Sequence, residues 1–125
     1  MFLRLETVLS LHDRVAYALV LYYGALGVWG ILLGARSAAP SPGLRGAIVI
    51  ALIASIVQGT LGLLVLAFRG PPRDALHLLY GFTLVLAVPL AASIVRARSP
   101  RARSLVLGIA ALFTAGLAIR GIITA

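Results

Sequence analysis

"VAYALVLYYGALGVWGILL", Val15 to Leu33, runs for 19 residues without a formal charge. A helix that crosses the hydrocarbon of a bilayer needs about 20 mainly apolar residues, so this stretch is long enough. Three further runs of the same kind follow at about Ala47–Phe68, Ala75–Val95 and Ser104–Thr124, and Arg120 is the only charged residue in all four. Of the 125 residues, 62% are hydrophobic and 11% charged. A soluble domain of this size cannot bury that much apolar surface. The sequence therefore predicts an all-α integral membrane protein, one four-span domain over residues 1–125.

The first run is also longer than the core of a signal peptide, and Glu6 and Asp13 interrupt a positive leader. "ARSAAP" at 35–40 does carry the small residues of a cleavage site.

Short connections join the runs. Pro40, Pro42 and Gly43 break the first, Pro71 and Pro72 the second, and Pro100 the third, while Asp74 suits a cap for the third helix. Helices joined this closely pack as antiparallel neighbours, giving an up-down-up-down four-helix bundle. The halves share "LH" (Leu11-His12, Leu76-His77) and "RG" (Arg69-Gly70, Arg120-Gly121). On that basis they read as a candidate pair of α-hairpin repeats.

The net charge is +8, and all eleven basic residues are arginine. In a soluble chain this would suggest nucleic acid; here the arginines sit between spans, where they set orientation and meet lipid phosphates. Arg36, Arg45, Arg96, Arg98, Arg101 and Arg103 lie in the first and third connections, with no acid. Arg4, Arg14, Arg69 and Arg73 lie on the opposite side, offset by Glu6, Asp13 and Asp74. The positive-inside bias puts the six-arginine side in the cytoplasm of a bacterial-type inner membrane, with both termini outside.

Cysteine is absent, which excludes disulfides, thiolate metal sites and thiol redox chemistry. No phosphate-binding glycine loop, zinc-binding His-Glu-x-x-His or hydrolase triad occurs, so neither a hydrolase nor a transferase is indicated. No acid stands at membrane depth, unlike the glutamate-dependent small multidrug pumps. The polar pore track of fluoride channels is also not evident.

The polar residues at depth carry the rest. At 100° per residue, His12 shares a stripe with Leu19, Tyr23, Gly27 and Gly30. His77 shares one with Gly81, Leu84, Val88 and Ala91. On the second run Gln58 aligns with Ala51, Ser55, Gly62 and Arg69; on the fourth, Arg120 aligns with Phe113, Gly116 and Thr124. The antiparallel order brings His12, His77, Arg69 and Arg120 to one layer near the outer face. Two neutral imidazoles facing across a bundle suit the axial positions of a haem, each with a second-shell acceptor on its other nitrogen. Asp13 and Asp74 stand nearby for that role. Arg69 and Arg120 suit the propionates, and Gly27 and Gly81 give the porphyrin clearance. Tyr17, Tyr80, Phe82 and Phe113 suit packing against it.

This layout, with "HLLYG" at His77–Gly81 as its clearest piece, resembles the b-type membrane cytochromes. The resemblance implies one haem b held by His12 and His77. It also implies electron transfer with a quinone or a redox protein, or sensing of redox state or a gas. Two histidines hold one haem, where the usual two-haem pattern has four. Two other readings stay open. One is an accessory or assembly subunit of a larger membrane complex, or a homo-oligomer joined through Gly27–Gly34 or Gly59–Gly62. The other is an oligomeric anion channel or small-solute transporter lined by Ser55, Gln58, Gly62 and Arg69.

Overall fold

The computed structural model describes residues 2–125, with side chains from Arg4 onward. Four α-helices follow one another: α1 (Phe2–Ala35), α2 (Pro42–Arg69), α3 (Leu76–Ile94) and α4 (Pro100–Thr124). All four are long and apolar enough to cross a membrane. Their outer surface is apolar, with Leu21, Ile94 and Phe82 at 76%, 74% and 69% exposure.

On α2 and α4 the helices start ahead of the apolar runs because caps set them, whereas α3 stays within Ala75–Val95. Ser41 and Ser99 accept the amides of Leu44 and Ala102, each ahead of a proline at the first helical position. The N-cap of α3 is Ala75 rather than Asp74, whose carboxylate, one residue earlier, accepts the Leu76 amide at 2.9 Å. Gly70, at φ +96°, ends α2 in a backbone conformation that favours glycine. The largest departure is in α1. It begins some thirteen residues before Val15, because no glycine or proline stands ahead of Gly24 to stop it. His12 is thus inside a helix of 34 residues, about 50 Å long at the usual rise. In α3, Pro89 removes one backbone donor from the ladder.

Cross-helix bonds show the packing order. Tyr22 donates to Ala47 O at 2.8 Å, and Gln58 Nε2 to His12 O at 2.8 Å, so α1 and α2 are antiparallel. Gly30 lies against Gly108, and Ser104 donates to Ala38 O at 2.6 Å, so α1 and α4 are antiparallel as well. His77 meets Gly121, which pairs α3 with α4 in the same sense. The α1–α4 seam is the most extensive and the α2–α3 seam the least. Leu19, Tyr23, Ala51, Leu84, Val88 and Ala111 fill the centre.

The expected inward faces hold on three helices. Leu19, Tyr23, Gly27 and Gly30 are buried on α1, Ala51 and Ser55 on α2, and Leu84 and Val88 on α3. On α4 the expectation is corrected. Phe113 and Arg120 are exposed, Thr124 is buried as expected, and the buried face along the helix includes Ser104, Leu107, Gly108, Ala111 and Ala115. Small residues there let α4 press against α1, and that contact sets its rotation. The shared "RG" pairs also differ: Gly70 ends α2, whereas Gly121 lies within α4.

Candidate functional site

Away from the arginine-rich connections, α2 and α3 part. A cavity of about 980 Å³ fills the gap between the helices. Leu19, Ser55, Leu84 and Leu117 line its deep end, and Ile56, Leu63, Leu79 and Phe82 line its apolar mouth. Its polar side chains are Asp13, Tyr17, Ser55, Thr60, and a cluster of His12, Gln58 and His77.

The two histidines meet there. Their ring centroids are 6.1 Å apart and their planes 71° from parallel, although α1 and α3 stand diagonally across the bundle. His77 Nδ1 lies 2.7 Å from Gly121 O. A carbonyl only accepts, so Nδ1 carries the proton of that bond. Three more groups finish the end of α4. Arg73 donates to Ile123 O at 2.8 Å, the Asp74 amide to Thr124 O at 3.3 Å, and Thr124 to Arg120 O at 2.8 Å. His77 therefore caps a helix end, and its ring is fixed by that bond.

His12 is held differently. Gln58 fixes its backbone carbonyl, while its own Nδ1 is buried without a hydrogen-bond partner. Gln58 Oε1 is likewise buried and unpartnered. Buried polar atoms of this kind are costly unless satisfied, so the cavity holds two atoms that call for a polar guest. Beside them, a Cβ on Gly62 would come within 3.2 Å of His12 Cε1, whereas one on Gly81 or Gly59 would meet nothing within 4 Å.

Of the residues read as a site from the sequence, His12, His77 and Gly81 come together. Arg69 and Arg120 do not line the cavity. Arg120 is exposed, with its guanidinium carbon 5.6 Å from the Tyr80 ring centroid, a cation–π contact. Among the described residues neither Asp13 nor Asp74 makes an ion pair with it. Gly27 stands fifteen residues from His12, about 22 Å along the helix. There it meets Gly108 O and Leu112 of α4. The hydrogen-bond partner of the His77 ring is Gly121 O, while the Asp74 carboxylate accepts from Leu76. Of the stripe read as an anion path, Ser55 is bonded to Tyr23 at 2.6 Å, and Arg69 lies outside the cavity.

His12 and His77 are the two imidazoles that line the cavity, and so side chains there that could hold a metal. Two imidazole nitrogens on opposite sides of a metal, each about 2 Å from it, put their ring centroids roughly 6 Å apart. Among the described residues no three His, Cys, Asp or Glu side chains gather at one place. Comparison with family models, curated proteins and solved structures gave no match.

Proposed function

We propose that this is an integral membrane protein that holds one haem b between His12 and His77 and serves in electron transfer or redox sensing. The observation that supports it most is the 6.1 Å approach of two imidazoles from diagonal helices beside a cavity of about 980 Å³. A bound haem would supply a one-electron couple. The chain's own part is to hold the ligands. Gly121 O fixes the ring and tautomer of His77, Gln58 fixes the backbone at His12, and Gly62 and Gly81 keep bulk away from the pair. Apolar walls at Leu19, Leu84 and Leu117 exclude water. In this reading the six-arginine end faces the cytoplasm and the histidines lie in the outer half.

The test is the visible spectrum of protein purified in mild detergent from haem-replete cells. A Soret band with sharp α and β bands on reduction is expected. His77→Ala and His12→Ala should each abolish it while helical circular dichroism persists. A colourless wild-type protein, or full haem content in both variants, would overturn the reading.

A further inference from the structure

The far end of the bundle carries a second site. Two identical caps open helices there: Ser41-Pro42-Gly43-Leu44-Arg45 on α2 and Ser99-Pro100-Arg101-Ala102-Arg103 on α4. In each, the serine side chain caps the helix, proline takes the first position, and the arginine amide makes the first i to i−4 bond, at 3.0 Å to the serine carbonyl. Both arginines therefore sit in a first helical turn. That is the positive end of the macrodipole, where a cation is disfavoured.

Both also line one cavity of about 270 Å³, joined by Arg96 from just beyond α3. Its walls are apolar: Ile48, Ala92, Val95 and Leu107. No acid is near, because Glu6, Asp13 and Asp74 are the chain's only acidic residues and lie towards the other end. Arg103 Nε is buried with no hydrogen-bond partner. The α3 C-terminus accounts for Arg96, since cations are favoured there. It does not account for Arg45 and Arg103. Three arginines at one cavity, two of them at positive helix ends and one of those two, Arg103, with a buried unpaired nitrogen, call for an anion from outside the chain.

We propose that Arg45, Arg96 and Arg103 bind the phosphate of an anionic phospholipid, whose acyl chain lies along Ile48, Val95 and Leu107. Guanidinium forks match phosphate oxygens, and basic pockets between membrane helices suit acidic headgroups. The apolar wall favours a lipid over free phosphate. The proposal rests on the membrane reading and is independent of the haem.

Native mass spectrometry of the full chain in neutral detergent tests it. The probes are phosphatidylglycerol, phosphatidylcholine with the same acyl chains, and inorganic phosphate. Phosphatidylglycerol should bind selectively at one per chain. R45Q/R96Q/R103Q should weaken it roughly a hundredfold, at about fivefold for each arginine. Arg103→Gln alone, a milder change should the triple variant fail to fold, should weaken it about fivefold. R98Q/R101Q removes the same kind of charge from the same end outside the cavity and should leave binding close to wild type. Equal losses in R45Q/R96Q/R103Q and R98Q/R101Q, or none in either, would overturn the site. Inorganic phosphate that displaces the lipid at comparable affinity would keep the arginines and overturn the lipid as the source.

Discussion

The α1–α4 seam and the α2–α3 seam are both rich in glycine, and they use it in opposite ways. At the first, Gly27, Gly30 and Gly34 face Gly108, Ser104 and Leu105, and the backbones touch. A Cβ on Gly108 would come within 2.7 Å of Ile31 N, and one on Gly30 within 2.8 Å of Gly108 Cα. At the second, Gly59 and Gly81 border a cavity, and a Cβ on either would meet nothing. Between helices in lipid, association comes from close packing rather than from the hydrophobic effect. Glycine thus closes one seam, while at the other it leaves room beside the histidines. The stripe Gly27–Gly34, read from sequence as a surface for self-association, is used inside the chain.

The contrast can be broken by substitution. Gly108→Val should be the most damaging change, costing about 3 kcal/mol or more by forcing the backbones apart. A melting temperature in detergent equal to wild type would remove the seam from this account. Tyr23→Phe comes next. It removes the 2.6 Å bond to Ser55 between α1 and α2, both residues being fully buried. Ser55 keeps its bond to Ala51 O, so the loss should be about 1 kcal/mol.

At the open seam the sign should reverse. Gly81→Ala adds a methyl into free space and removes a helix-weakening glycine, so it should stabilise by about 0.5 kcal/mol. A destabilised Gly81→Ala would mean that α3 closes on α2. Gly62→Ala is the finest probe. Its methyl at 3.2 Å moves the His12 ring by only a few tenths of an ångström. Stability should change by well under 1 kcal/mol, while the His12 ring signals shift in NMR spectra. Unmoved signals would separate Gly62 from the histidine site.

The fold was largely legible because the apolar runs are long and their breakers are prolines. Helix ends were less so. Hydropathy marks where hydrocarbon begins, whereas caps such as Ser41 and Ser99 mark where helices begin. At the site, depth was readable and rotation was not. Counting along the chain places His12, His77, Arg69 and Arg120 at one level. Only the helix contacts turn the histidines inward and Arg120 outward onto Tyr80. Gly27 shows the converse error, since it shares the buried face with His12 but lies too far along the helix. The Gln58 bond to His12 O had a signal, a lone amide at mid-span, but its partner is a backbone atom that no side-chain pattern reveals.

The α1–α4 seam also sets an order of assembly. Of these four helices the one made first rests against the one made last, and 70 residues lie between Gly34 and Leu105. At 5–20 residues per second the ribosome needs roughly 4–14 s to cover them. During that interval α1 has α2 as its earliest partner, through Tyr22, Tyr23 and Gln58. Those polar links fix the register of the first hairpin before α4 arrives to close the glycine face.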